Sequence, residues 1–303
     1  MDFLASEKVF SWEADWLRAL LGQDCFARFV PTDFASPGPP NPTVAIANAN
    51  ANANGNYRRL LHSLGEARQP YGVILLSDEF LMDSCDYLDD PSCVFVARNY
   101  LHPAIDGHPK SIHFGLGYRN GFRTSTPRIP ADARPNVWNF VGSIRDEPRR
   151  VAIEAFEDIP EHFVHATAHF NSADYLPADA YAKVLENSQF TLCPQGHVNI
   201  DTFRFYEALE AGSIPVVLER ARHFNARPTY WHRLFHGARD LPFVISPNWP
   251  AARQRVDELT TDGNRLLAAQ RACLAFWEEW KQRWSDQLLS KIAELTAVAP
   301  RPL

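Results

Sequence analysis

Cysteine is sparse and unpatterned in this 303-residue chain: Cys25, Cys85, Cys93, Cys193 and Cys273 are scattered, odd in number and free of CxxC spacing. That argues against a disulfide framework and a structural zinc site, and favours a reducing compartment. No Asn-x-Ser/Thr acceptor occurs without an intervening proline. No excess of basic charge exists either: 30 Lys and Arg stand against 36 Asp and Glu, a formal charge of −6, so a nucleic-acid partner is not expected. No apolar run is long enough to span a bilayer, so no transmembrane segment is expected. The first residues are acidic and interrupted by charge, which suits neither a signal peptide nor a membrane anchor. What is present is core material: 46% hydrophobic residues, with 8 Trp, 9 Tyr and 20 Phe, enough for one large domain or two ordinary ones.

The pattern along the chain alternates helix and strand. A short amphipathic helix is expected over Glu13 to Leu21 and a strand at Cys25–Val30. The stretch "VAIANANANANGN" offers no bulky apolar face and reads as a mobile surface loop. "NYRRLLHSLGEA" is helical by spacing, "YGVILLSDEF" is a buried strand ending in acidic residues, and "SCVFVARNYL" and "IHFGLGYRNGF" supply further strand. The polar "TSTPRIPADARP" reads as an interdomain linker. Beyond it, 136–245 reads as a βαβαβαβ array, the pattern of a doubly wound α/β domain whose ligand sits at the carboxyl ends of its strands. Near the end, Cys273, Trp277, Trp280, Trp284, Leu288 and Ile292 fall at helical spacing, as a core or interdomain packing stripe requires.

Within "LCPQGHVNIDTFRFYEALEAGSIPVVL", 192–218, a strand enters a loop holding Gly196 and His197. A helix follows from about Asp201, capped by Asp201 or Asn199, and stops at Gly212 before a second strand. Free N–H groups at such a helix start favour an anion. Arg204, one turn in, can pair with phosphate oxygens, and Glu207, three residues on, can accept two hydrogen bonds from the vicinal hydroxyls of a ribose. Together they fit a nucleoside diphosphate. The competing reading is an i, i+3 ion pair on a solvated helix.

The pattern "LCPxG…RxxEALxAGxIPVVL" resembles the exostosin-like glycosyltransferases (family 47 type), including the ribitol-phosphate xylosyltransferase branch. "EALEAGSIPVV" is similar to the ribose-binding segment found across GT-B glycosyltransferases. "VWNFVGSIRDEPRR" resembles the first strand and loop of the donor domain, and segments from Val73 onward resemble the acceptor-side domain. The resemblance implies a GT-B fold: two Rossmann-like doubly wound domains facing a cleft, with an acceptor-side domain at 1–127, a nucleotide-sugar domain at 128–265 and a helix at 266–303 crossing back onto the first domain. It implies an inverting transferase that moves a sugar from a nucleotide sugar, expected to be UDP-linked, to a hydroxyl of a glycan or lipid-linked glycan. No cofactor or metal beyond that co-substrate is expected. By matched position, Glu207 binds the ribose and Arg204 faces the diphosphate. Gly142 and Ser143 form the first donor-domain loop, Arg145 and Arg149 neutralise phosphate, and Gly196 and His197 lie at the donor sugar or phosphate. Many GT-B enzymes carry a glutamate where this chain has Asn199. Golgi relatives carry a membrane anchor; without one, a cytoplasmic location is expected, with peripheral contact to a membrane-bound acceptor.

Inversion needs a base on the acceptor side. Asp78 and then Glu79, in "LLSDEF", directly follow an apolar strand and are the first candidates; helix capping by both is the competing reading. Asp83, Asp86, Asp89 and Asp90 lack the spacing of an EF-hand loop and read as a solvated acidic turn. His162 and His165 would point to opposite faces of a strand and do not make a metal pair. Two other functions stay open from the residues: a non-catalytic sugar-nucleotide-binding subunit, and a sugar-nucleotide epimerase on the same scaffold.

Overall fold

The computed structural model describes residues 1–36, 41–49, 55–144, 147–169, 174–220, 230–236, 238 and 240–298. They divide into two units: Met1–Leu116 with Lys281–Leu303, and Gly117–Trp280.

The first unit is built on six parallel strands: β1 (Asp2–Ser6), β2 (Phe29–Thr32), β3 (Thr43–Asn48), β4 (Tyr71–Leu76), β5 (Cys93–Arg98) and β6 (Ser111–His113). Their spatial order is β2-β1-β3-β4-β5-β6. Every residue of β3 and β4 is buried, as a parallel sheet covered on both faces demands. Val44–Asn48 thus leave the Ala/Asn stretch to form a central strand, because small residues there fit beneath the covering layers. Positions 50–54 of the repeat lie outside the described residues. Helix α4 (Asn56–Glu66) lays Tyr57, Leu60, Leu61 and Leu64 against Ala45, Ala47, Val73 and Leu75, the apolar stripe that 3.6-residue periodicity produces. The helix expected at 13–21 is α2 (Ala14–Leu21), preceded by a separate α1 (Glu7–Trp12). The strand expected at Cys25–Val30 is instead α3 (Gln23–Phe26) followed by β2. An aromatic contact between Phe26 and Phe29, 4.8 Å between ring centroids, ties the two together.

The second unit carries five parallel strands: β7 (Asn136–Ser143), β8 (His162–Thr167), β9 (Ser188–Leu192), β10 (Ile214–Leu218) and β11 (Val244–Ser246), ordered β11-β10-β9-β7-β8. Helices α5 (Glu147–Glu154), α6 (Ala178–Glu186) and α7 (Phe203–Ala211) follow β7, β8 and β9. Tyr181, Ala182 and Leu185 of α6 pack with Ala208 and Ala211 of α7 and with Val141 of β7. Arg134 staples the unit from inside. Its guanidinium donates to the carbonyls of Ile129, Leu185, Ser188 and Ala211, and burial, partly offset by Glu186, pulls its pKa down to about 10.

After α8 (Tyr230–Leu234) and β11, helix α9 (Trp249–Thr260) starts on Asn248, whose side chain accepts from the Ala251 N–H at 2.9 Å. Asn248→Ala is expected to lower stability by about 1 kcal/mol, the usual worth of such a cap, read as a shift of the denaturant midpoint. The chain ends in the 36-residue α10 (Gly263–Val298), whose Cys273-to-Ile292 stripe is buried throughout. In the second unit Trp277 Nε1 donates to Glu210 at 2.6 Å. In the first, Trp284 meets Trp16 edge to face at 6.3 Å, and Ser285 Oγ donates to the Leu20 carbonyl.

In each sheet the first strand has its next neighbour in sequence on one side and the following strand on the other. The switch points therefore fall between β1 and β3, and between β7 and β9. Doubly wound sheets open a crevice there, at the carboxyl ends.

Candidate active site

The β7/β9 switch point collects most of the expected donor-site residues. Gly142 and Ser143 end β7. Gly196 and His197 lie in the loop after β9, closed by a hydrogen bond from the Gly196 N–H to the Asn199 carbonyl at 2.7 Å. Asn199, at the position where many GT-B enzymes carry glutamate, is buried and shapes that loop. Arg149, on α5, joins the two edges: Nη1 donates to the Ser143 carbonyl and hydroxyl at 2.9 and 2.8 Å, and Nε donates to the Gln195 carbonyl at 3.3 Å. Arg149 thus ties the end of β7 to the loop after β9 through Nη1 and Nε. His197 is exposed at the loop tip. Arg145 lies outside the described residues.

Arg204 crosses from α7 to the end of β7. Its Nε donates to the Val141 carbonyl at 3.0 Å, and its guanidinium carbon lies 4.7 Å from the centroid of the Phe140 ring. Gly142 makes that possible. Its φ of 148° suits glycine, and a Cβ there would run into Arg204 Nη2. Nη1 of Arg204 is buried with no hydrogen-bond partner among the described residues, and so is the hydroxyl of Thr202, the residue that begins α7. Buried donors of this kind are rare unless a ligand or water completes them. Here both sit at the amino end of a nine-residue helix, where the dipole favours an anion.

The cap expected from Asp201 or Asn199 does not form. Asp201 is fully buried and accepts the hydroxyls of Tyr206 and Tyr230 at 2.9 and 3.1 Å. The helix start is left to Thr202, whose side chain makes no capping bond. Gly212 ends the helix with φ 70° as a left-handed C-cap.

Glu207 does not pair with Arg204. Its Oε1 accepts the backbone N–H and Nε of Arg119, at 3.3 and 3.2 Å, and the carboxylate is almost wholly buried. Arg119 itself lies over Tyr175 and Tyr181, 5.0 and 5.6 Å from the ring centroids. A buried carboxylate needs such a partner. Pairing through Oε1 fixes the rotamer while Oε2 accepts no hydrogen bond from the described residues. Arg119 escaped sequence reasoning: it lies in "GYRNGF", far from α7 in the chain, and nothing local signals the pairing.

Two neighbouring groups are excluded as nucleophiles. Burial pushes the Cys193 thiol up to about 12 despite the charge of Arg204. Burial and the Glu207 carboxylate together hold the Tyr181 hydroxyl protonated.

In the first unit, Asp78 occupies a structural position rather than that of an available base. It is buried; Oδ1 accepts the Met82 N–H, and Oδ2 accepts the Asp83 N–H and Arg98 Nη2 at 3.0 Å. Three accepted hydrogen bonds, one from a fully buried guanidinium, leave the carboxylate committed. Glu79 is half-buried on the same loop. Of the acidic turn, Asp83 and Asp86 pair with Arg58, and Asp90 accepts from Tyr71 and the Ser92 N–H.

The chain is similar to known proteins in sequence and in fold. Human ribitol-5-phosphate xylosyltransferase 1 is 33% identical over 179 residues, which is 54% of this chain and 38% of that protein, so the chain spans well under half of the relative's length. The fold recurs in Anabaena HepE in complex with UDP-glucose, with a TM-score of 0.57 and 9% identity over 97% of this chain and 100% of that one. It recurs in an O-GlcNAc transferase of Thermobaculum terrenum, with a TM-score of 0.53 and 11% identity over 97% of this chain and 67% of that one. An alpha1,3-fucosyltransferase gives a TM-score of 0.51 and 12% identity over 97% of this chain and 90% of that one. These are GT-B glycosyltransferases, and the two parallel α/β sheets are that fold. The family model of the RXYLT1 C-terminal domain matches residues 119–296, more than half of the 303, and the chain belongs to that family.

Proposed function

We propose that the chain is an inverting glycosyltransferase that takes a sugar from a UDP-linked donor and delivers it to a hydroxyl of a glycan or lipid-linked glycan. The observation that carries this reading is the pair of buried donors without a partner among the described residues, Arg204 Nη1 and Thr202 Oγ1, at the start of α7, one turn from the anchored carboxylate of Glu207. In the transition state positive charge gathers at the anomeric carbon and negative charge on the departing diphosphate. A fixed guanidinium and a helix amino end stabilise the latter without reorganising. Glu207, held by Arg119, grips the ribose hydroxyls through its second oxygen. The human relative's name makes UDP-xylose the first donor to test, with ribitol 5-phosphate as the first acceptor.

UDP is expected to raise the melting temperature of the wild type. At about 100 times its Kd a ligand of the native state adds about 2.7 kcal/mol. Glu207→Ala should abolish that shift, and Glu207→Gln should reduce it, each compared with its own ligand-free form. Equal shifts in wild type and Glu207→Ala would remove the ribose role; the absence of any shift with UDP or UDP-sugars would remove the donor site.

A further inference from the structure

Arg119 spends only part of its donor set on Glu207. Both residues lie in the second unit, as do Tyr175 and Tyr181. The Arg119 backbone N–H and Nε go to Glu207 Oε1, whereas Nη1 and Nη2 donate to nothing among the described residues. The guanidinium is braced on the rings of Tyr175 and Tyr181, 5.0 and 5.6 Å from their centroids. Its side chain keeps 16% exposure against 2% for that of Glu207, so the pair is reached from the arginine side. Beside it the Tyr175 hydroxyl, on the loop between β8 and α6, is buried with no hydrogen-bond partner among the described residues. That hydroxyl is costly to bury, and the ring face alone suffices to brace the arginine. The cluster therefore presents one unspent acceptor oxygen, Glu207 Oε2, next to unspent donors on Arg119 and Tyr175. A vicinal diol is the complement of such a set, because each of its hydroxyls has one proton to give and lone pairs to receive.

We infer that Arg119 is a specificity-determining residue that touches the ribose of the donor, and that with Tyr175 it makes the site select ribonucleotides over their deoxy counterparts. The inference rests on the donor site proposed above. Both ribose hydroxyls give their protons to Glu207 Oε2. Their oxygens accept from an Arg119 Nη group and from the Tyr175 hydroxyl. Each sugar hydroxyl is then the middle of a chain that runs from protein donor to carboxylate, and each link polarises the next. Glutamate alone would read the diol only through its protons. Guanidinium and phenol read its oxygens as well, so a deoxy sugar leaves a charged acceptor and a charged donor unpaired at once.

Titration calorimetry with UDP, 2′-deoxy-UDP and 2′,3′-dideoxy-UDP tests this, with the ligand-free melting temperature of each variant as the control for folding. The wild type should bind UDP about 10²-fold more tightly than the dideoxy analogue, the worth of two hydrogen bonds to charged groups at the low end of their usual range. The 2′-deoxy analogue should fall between. Arg119→Lys keeps the charge beside Glu207 but loses the fork. It should bind UDP about tenfold more weakly, the worth of one such bond, and the dideoxy analogue as before, so that the preference narrows. Tyr175→Phe keeps the ring against Arg119 and removes the buried hydroxyl. It should melt no lower than wild type yet bind UDP about 3–10-fold more weakly, again with the dideoxy analogue unaffected. An undiminished preference in Arg119→Lys reduces the arginine to a counter-charge and overturns the inference, while the ribose role of Glu207 stands. An equal loss for all three ligands in that variant makes its role structural and overturns the inference too. Unchanged UDP affinity in Tyr175→Phe overturns the part given to the tyrosine. Equal affinity of the wild type for UDP and the dideoxy analogue removes the ribose contacts of Glu207 and Arg119 alike. No binding of UDP or UDP-sugars by the wild type removes the donor reading, and this inference with it. If Arg119→Lys does not fold, the wild-type series and Tyr175→Phe decide.

Discussion

Arg204→Ala is expected to lower kcat for sugar transfer by about 10²–10³, the usual cost of removing one fixed donor from a developing anion. The guanidinium is positioned before any ligand arrives: its Nε is tied to the Val141 carbonyl, its plane lies by the Phe140 ring, and Gly142 leaves room for Nη2. What remains for the ligand is the buried Nη1. Arg204→Lys should recover little of the loss, because a lysine presents a point charge in place of a rigid fork and cannot hold the Val141 carbonyl and a phosphate oxygen together. Gly142→Ala should reproduce part of the defect with no change to the arginine itself, by displacing Nη2. Steady-state rates at saturating donor check all three. A wild-type kcat in Arg204→Ala would show that the diphosphate is neutralised elsewhere.

The second large effect concerns stability. Asp78→Ala leaves Arg98, fully buried, without its carboxylate, and removing one partner of a buried pair costs about 3–5 kcal/mol. Among the described residues Arg98 then keeps its hydrogen bonds to the Asn99 carbonyl and the Cys85 sulfur. The loop at 78–83 also loses the hydrogen bonds that Asp78 accepts from Met82 and Asp83. Asp78→Asn should be less damaging but still costly, because an amide offers one acceptor oxygen where the carboxylate offers two. Denaturant unfolding monitored by intrinsic fluorescence measures both. An unchanged midpoint in Asp78→Ala would mean that the Arg98 charge finds another partner.

Local chemistry was legible where a residue's role depends on its near neighbours. The unit from β9 to β10 could be read from its strand, loop, helix and Gly stop, because propensity, periodicity and a left-handed terminus coincide there. The Asp78 environment could not. An acidic residue after an apolar strand looks alike whether it caps, catalyses or pairs, and Arg98, twenty positions later in sequence, decided it. β3 was hidden for a different reason: the Ala/Asn alternation carries no bulky face, yet small residues are what a strand covered on both sides can accommodate. The strand β1, at the very start, has too short an apolar pattern to be distinguished without its partners β2 and β3.

The sequence by itself determined the α/β alternation, the helix that carries Arg204 and Glu207 on one face, and the family resemblance, because each is a pattern of neighbours within a few turns. Only the tertiary structure decided that Glu207 is held by Arg119 while Arg204 keeps a donor with no partner among the described residues, and that Glu13, Asn48 and Ser77 meet at one sheet edge. Parallel strands must be joined by long crossovers. Residues that share a switch point therefore lie tens of positions apart in the chain, and no local pattern records which of them touch.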